Sequence, residues 1–314
     1  MTKRLNIVLV LLLLIVGVPY YWLLLDNRPG NAVAKPIHIE DLRRLAASIP
    51  GQAPVAVEVQ HVAWRRLPGN LLVAGSGMKR KLVSIMAFRL LVPGGKPVLI
   101  DSGITAKDAA AMNLEDFAPE RQAKVEAAMD TAGLILLTHE HPDHEGALVA
   151  HGGTALSEAA ILNQAQLPPA RPAANLDWKG RNPPAARITG SAPRAVAPGI
   201  VVIPAPSHTP GSQMIYVRLA DGRELLFTGD IATFAQSWQE IRARSNLVTK
   251  WFAPENRGEV FSWLLTIKAL SGEAPELVVI PGHDYLALFD KDHPSQVSDG
   301  FGSLPPFLLH PKSF

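Results

Sequence analysis

The chain has 314 residues, 47% of them hydrophobic and 18% charged, with a formal net charge of +2. That length suffices for one large domain with a substantial core, and the near balance of charge, without a polybasic patch, argues against a nucleic-acid partner. No cysteine is present, which excludes disulfides, redox-sensing thiols and iron–sulfur chemistry and leaves only nitrogen and oxygen to hold a metal.

Lys3 and Arg4 precede an apolar stretch from Leu5 to Leu25 that is broken only by Asn6, Gly17 and Pro19. As a helix rising 1.5 Å per residue it reaches about 30 Å, the thickness of a bilayer core. Tyr20, Tyr21 and Trp22 lie near its far end, where amphipathic aromatics favour the membrane interface. With Lys3 and Arg4 kept in the cytoplasm, the rest of the chain is expected in a bacterial periplasm, anchored by a single pass through the inner membrane. The competing reading is a signal peptide with a core from Ile7 to Val18, cleaved near Ala34 to release a secreted or periplasmic protein. Because apolar residues resume after Pro19, the anchor is the preferred reading. Residues 1–26 are thus an anchor or signal segment, 27–54 a linker with a short helix, and 55–314 the main domain.

Asn27 to Pro36 reads as linker and Ile37 to Ile49 as an amphipathic helix ended by Pro50-Gly51. Strand patterns follow at Val55–Val59, Asn70–Val73 and Leu82–Val92; the basic run Met78–Lys81 reads as a solvated turn or the beginning of a strand. Pro97–Ile100 leads into Asp101-Ser102-Gly103. Residues 105–130 are Ala-rich and helical with a break at Pro119, and Leu134–Leu137 reads as a buried strand, with helix again from Gly146 to about Ala150. Residues 163–199 are too rich in proline for long helices and fall where an insertion could cover a site, with Trp178 as either a pocket residue or a loop anchor. Val201–Ile203, Glu224–Phe227 and Leu277–Ile280 read as three more strands. Between the last two, Phe234, Trp238, Trp251 and Phe252 offer either walls for an apolar substrate or core for a helix at 258–271.

The chemistry sits where these strands stop. Leu137 is followed by Thr138-His139-Glu140-His141-Pro142-Asp143-His144. Three imidazoles and a carboxylate on a rigid strand end are what a divalent cation needs, and the Pro142 kink lets neighbouring side chains converge. The other apolar runs each end in a turn with one metal-capable side chain: Asp101, His208, Asp230 and His283. Glu140, between ligands, is read as pointing away. His38, His61, His151, His293 and His310 belong to no such pattern and are read as surface or core histidines.

Ile100-Asp101-Ser102-Gly103, His139-x-His141-x-Asp143-His144, His208, Asp230 and Pro281-Gly282-His283-Asp284 together closely resemble the metallo-β-lactamase superfamily, over roughly residues 55–290. The resemblance implies an α/β fold, the αββα sandwich, here preceded by a single N-terminal hydrophobic helix. It implies a two-metal site in which His139, His141 and His208 hold one ion, Asp143, His144 and His283 the other, and Asp230 bridges both. Seven nitrogen and oxygen donors are too many for one four-coordinate zinc. Zinc lowers the pKa of water from about 15.7 to about 7, so a metal-bridging hydroxide is the expected nucleophile, with Asp143 orienting it or carrying its proton. Asp101 and Thr138 are expected to fix loops and imidazole tautomers.

Asp230 and the absence of cysteine make the chain look more like the lactonase, glyoxalase II and phosphodiesterase branches than the β-lactam-hydrolysing one. Lactonases for acyl-homoserine lactones often carry a tyrosine three residues after that aspartate; here Thr233 stands there and Tyr285 could supply a phenol instead, so both are candidate substrate contacts. Ser212 stands where the family often has the histidine of Thr-Pro-Gly-His, and no basic glutathione-binding cluster is visible. The expectation is a membrane-anchored hydrolase with two Zn2+ acting on a small-molecule ester, lactone or related carbonyl. Iron or manganese would also suit the donors. The alternatives are a phosphodiesterase or β-lactamase-like hydrolase of the same fold, or a non-catalytic metal-binding module tethered to the membrane.

Overall fold

The computed structural model describes residues 3–178, 180–290, 295 and 297–302; His293 and His310 lie outside them. Strands β1 (Ala56–Pro68) and β2 (Arg80–Leu91) form a long antiparallel ribbon. Strand β3 (Val98–Ile100) pairs antiparallel with β2; β4 (Asp116–Phe117) pairs with β1, and β5 (Leu134–Leu136) runs parallel to β3. A second sheet contains β6 (Arg194–Ala197), β7 (Ile200–Pro204), β8 (Gln213–Arg218), β9 (Glu224–Gly229) and β10 (Val278–Pro281) in the order β10-β9-β8-β7-β6. Strand β11 (Ser298–Asp299) adds to the first sheet beside β1.

The pairings explain why five separated motifs can meet. β7 is antiparallel to β8 and β8 to β9, so β7 and β9 run the same way; β10 is parallel to β9. β3 and β5 are likewise parallel. Each run that ends in a chemically interesting turn therefore points its carboxyl end toward one edge of its own sheet. The parallel pairs need crossovers, supplied by the helices Pro119–Thr131 and Arg257–Glu273.

Alternation with period two builds three apolar layers. Ile200 and Val202 face inward with Val59, Phe88, Leu90, Ile100, Ile215 and Phe227 to form the layer between the sheets. Val201 and Ile203 face the other way, against Leu42, Phe261, Leu264 and Ile267. On the far side of the first sheet, Ile85, Ala87 and Leu99 pack on Val125, Met129 and Leu148. The order helix, sheet, sheet, helix is the expected αββα sandwich. The helix Lys3–Leu25 is long and apolar enough to cross a membrane and is unburied over its apolar window. Residues after it pack onto the domain: Ile39, Leu42 and Ala46 of the helix Ile39–Ala46 lie in the second outer layer, and Glu273 accepts the Ile39 N–H at 2.8 Å.

Some local readings change. Asn70–Val73 is not a strand: Gly69–Leu72 is a helical turn, because Asn70 Oδ1 accepts the Gly77 N–H at 2.6 Å and curls the chain back. Pro119 opens a helix rather than breaking one, as suits a residue with no N–H to offer. The described residues of 163–199 form short helical turns and β6. Trp178 donates its ring N–H to the Ala173 carbonyl at 3.0 Å and packs on the first outer layer, so it anchors that loop.

Candidate metal centre

The loop 138–144 leaves β5 and turns at Pro142, the first residue of a wide helical turn, Pro142–Gly146. Such turns occur disproportionately at functional sites. They space His141, Asp143 and His144 differently from an ordinary helix, and the loop is pinned by Ser102, which donates both its N–H (2.9 Å) and its hydroxyl (2.7 Å) to the His144 carbonyl. Glu140 points away from the other side chains: its carboxyl accepts the Thr209 hydroxyl (2.7 Å) and the Gly211 N–H (2.9 Å), tying this loop to the one after His208. Burial pushes that carboxyl up to about 7.

Three groups of donors form. His139, His141 and His208 are one; Asp143, His144 and His283 are another; His139, His144 and Asp230 are a third, and within each the ligand atoms lie within 4.8 Å of one another. His141 Nδ1 is 3.0 Å from His139 Nε2 and 3.1 Å from His208 Nε2. Zinc–nitrogen bonds of about 2.05 Å at tetrahedral angles place ligand nitrogens about 3.3 Å apart, so this trio fits one small cation with little adjustment. Asp230 lies between the groups. Its Oδ1 is 2.9 Å from His283 Nε2 and 3.7 Å from His144 Nε2, and its Oδ2 is 3.7 Å from His208 Nε2. Asp143 Oδ2 is 3.5 Å from His283 Nε2.

The outer nitrogens are held. His144 Nδ1 meets Asp101 Oδ2 at 2.9 Å, His208 Nδ1 meets Glu255 Oε2 at 2.9 Å, and His283 Nδ1 meets the Ser84 carbonyl at 2.8 Å. Each oxygen is an acceptor, so Nδ1 carries a proton and Nε2 is the nitrogen turned inward; the Arg244 guanidinium also lies against His208 beside Glu255. Asp101 also accepts the Thr138 N–H (2.7 Å) and hydroxyl (2.9 Å), from a left-handed backbone conformation (φ 59°) that aspartate tolerates better than most residues. The buried Nε2 of His144 has no hydrogen bond among the described residues. A buried donor or acceptor left bare is costly; a cation would satisfy it.

Electrostatics divide the imidazoles. Burial, helped by the positive charges of His144 and Arg244 nearby, drives the His139 imidazole well below its ordinary range and His141 down to about 4, so both are neutral, the form that binds a metal. Burial also opposes protonation of His144, but Asp101, Asp143 and Asp230 outweigh it and lift the imidazole to about 10. Burial raises the Asp230 carboxyl, yet the imidazoles of His283, His144 and His141 win and hold it near 2. A cation bound there would displace the proton that these carboxylates hold on His144.

Two glycines permit the approach. At Gly229 (φ 50°) a Cβ would come within 2.6 Å of the Thr138 Cβ, and at Gly282 it would run into Asp230 Oδ1. The ends of β5, β9 and β10 can converge only because these side chains are absent.

The sequence profile of the metallo-beta-lactamase superfamily matches residues 89–283. The chain belongs to the metallo-β-lactamase superfamily. Solved structures of that fold align with it: a quorum-quenching N-acyl homoserine lactone lactonase (16% identity, TM-score 0.58, 77% of this chain and 97% of that one), an N-acyl homoserine lactone hydrolase with N-hexanoyl-L-homoserine bound at its catalytic metal centre (17%, 0.57, 75% and 95%), and a probable metal-dependent hydrolase from Staphylococcus aureus (11%, 0.54, 75% and 91%). At these identities the likeness is one of fold. No curated protein sequence matches the chain.

Within this superfamily member, the candidate substrate contacts are placed differently from one another. Thr233 is buried, with its hydroxyl 3.4 Å from the Asp230 carbonyl and its own carbonyl accepting the His283 N–H. Tyr285 stacks on His61 at 4.5 Å, and burial together with a hydrogen bond to Asp299 pushes its phenol up to about 12. Of the aromatics after Asp230, Phe234 packs with Leu72, Val73 and Val83, and Trp238 packs on the second outer layer; Trp251 and Phe252 face outward. His38 and His151 pair with Glu273 and Asp130. Two residues escaped the sequence reading. Arg244 lies against His208, 3.6 Å from Asp230 Oδ2, and donates to Glu255 at 2.7 Å. Neither Arg244 nor Glu255 stands at a strand end, which was the signal that found the others.

Proposed function

We propose that this protein is a dinuclear metal-dependent hydrolase that opens an ester, lactone or related carbonyl compound. The observation that carries the reading is the meeting of three overlapping donor groups, drawn from four loops, with Asp230 between the outer two. His139, His141 and His208 would hold one ion, Asp143, His144 and His283 the second, and Asp230 both. Two Zn2+ suit these donors; iron or manganese would also fit. Bound there, the pair supplies Lewis acidity and a water acidified to a pKa of about 7. Asp143 would take the proton of the attacking water and pass it to the leaving oxygen. Asp101, Thr138 and Glu255 hold loops and imidazoles in the ligating orientation, and Thr233 borders the site beside Asp230. The same machinery would serve a phosphodiester; the lactonase neighbours favour a carbonyl substrate by analogy of fold only.

The same proposal places the enzyme on a membrane, with residues 1–26 as a retained anchor, 27–54 connecting it, 55–314 as the hydrolase domain, and the domain in a periplasm. Support for retention comes from Asp26 and Asn27, which bond into the domain; cleavage near Ala34 would discard them.

The test is metal analysis of the purified protein joined to a panel of lactones, aryl esters, thioesters, phosphodiesters and β-lactams, with and without chelator. Chelator-sensitive opening of lactones or esters, lost in Asp230→Ala, is expected. Full metal loading with no turnover anywhere on the panel would instead favour the metal-binding module.

A further inference from the structure

The turn Val248–Phe252 exposes two large apolar side chains in succession, Trp251 at 57% and Phe252 at 75%. Neither belongs to the metal site or to a core layer. Their neighbour is the end of the apolar helix: Trp251 meets Trp22 edge-on at 6.0 Å, and the Lys250 ammonium lies 5.8 Å over the Trp22 ring.

That helix end is bolted to the domain. The Trp22 carbonyl accepts the Asn246 amide at 2.8 Å, the Leu24 carbonyl accepts the Gly75 N–H at 3.0 Å, and the Asp26 carbonyl accepts Arg257 at 2.5 Å. Asn27 bonds both the Ile241 carbonyl (2.8 Å) and the Ala243 N–H (3.1 Å). No free linker separates helix and domain, so a helix that spans a bilayer must bring the surface around this joint down to the headgroups. The surface there has the matching composition. Trp22, Trp251, Phe252 and Met78 (58% exposed) are apolar, while Lys79 and Lys250 are basic and exposed. Amphipathic aromatics among cations characterise the interface between hydrocarbon and anionic headgroups.

We propose that the turn Val248–Phe252, with Trp22 and the loop bearing Met78 and Lys79, is a docking surface that seats the hydrolase domain on the bilayer crossed by its own helix. The inference rests on the reading of that helix as a retained membrane anchor. It has a consequence for the site. Arg244 and Glu255, which flank this turn in sequence, both touch His208. One short segment therefore connects the metal cluster to the bilayer, and the cluster sits close to the membrane plane rather than at the end of a stalk.

The absence of cysteine makes a direct test available. Nitroxide labels are placed singly, in the full chain, by Leu13→Cys, Phe252→Cys and Ala220→Cys, and the protein is reconstituted in vesicles of phosphatidylcholine with anionic phosphatidylglycerol. All three positions are exposed, and Ala220 lies in the hairpin between β8 and β9, at the edge away from the site. Relaxation by lipid-soluble oxygen is compared with relaxation by a water-soluble nickel complex. The oxygen-to-nickel ratio at position 252 should lie closer to that at position 13 than to that at position 220, as for a side chain at or below the headgroups. A label at 252 that behaves like 220, while 13 is in lipid, overturns the docking surface and leaves the anchor standing. A water-exposed label at 13 overturns the anchor reading itself, and the docking surface with it.

Discussion

Replacing Glu255 by glutamine should weaken metal binding without removing a single ligand. The carboxylate, itself buried, accepts the His208 Nδ1–H at 2.9 Å and two N–H groups of Arg244 at 2.7 and 3.2 Å. An anion is an unambiguous acceptor and holds His208 in the tautomer whose Nε2 faces the cluster. A glutamine can rotate to present its NH2 group, which favours the opposite tautomer. Loss of such an outer partner typically lowers metal affinity by about 10–100-fold, or roughly 1.4–2.8 kcal/mol. Stability should fall too, by about 1.5–3 kcal/mol, because the Arg244 guanidinium, only a tenth exposed, loses its close charged partner and keeps only Asp230 at 3.6 Å. The assay is competitive titration of zinc against a chromophoric chelator, on protein shown to be folded by circular dichroism. An internal control exists: Glu273 makes the same 2.9 Å contact with His38 Nδ1 on the surface, far from any cluster. Glu273→Gln should leave zinc affinity unchanged. If Glu255→Gln bound zinc as tightly as the parent, the argument that this carboxylate sets the His208 tautomer would be wrong.

Chelator should lower the melting temperature by roughly 10 °C in protein loaded at a thousandfold excess over Kd, since binding then contributes about 4 kcal/mol; an unchanged melting temperature would deny a folded-state metal site. Gly229→Ala should cost at least about 2 kcal/mol in urea unfolding, from the positive φ and the contact with Thr138, whereas Gly222→Ala, at φ 91° in open space, should pay only the backbone part. Equal losses would refute the close-approach argument. Arg43→Ala should cost about 2–3 kcal/mol, because Glu224, 7% exposed, keeps only the Tyr216 hydroxyl; the figure is below that for a fully buried pair because Arg43 is a third exposed. Burial raises the Glu224 carboxyl, but Arg43 and Tyr216 outweigh it and hold it below its ordinary value. Its contribution is therefore complete above about pH 4.5 and lost as pH falls through the lowered value. The parent protein should lose more stability than Glu224→Gln over that acid range, measured by urea midpoints at stepped pH.

Sequence alone exposed the candidate donors because each follows an apolar run directly. Asp101, His139, His208, Asp230 and His283 stand just beyond strands whose period and flanking glycines and prolines are local properties. The membrane-length helix was legible for the same reason, as an unbroken composition. Tertiary structure decided what depends on neighbours distant in the chain. Asn70 curls the chain only because Gly77 returns to it. Whether Trp178, Phe234 and Trp238 lined a pocket or a core was a question of which sheet face they met. Arg244 and Glu255 sit in an irregular segment with no periodicity to mark them, and acquire meaning only where β7 delivers His208. The joint between helix and domain is likewise invisible along the chain, since four of the five hydrogen bonds described for it link residues more than two hundred positions apart, such as Trp22 with Asn246.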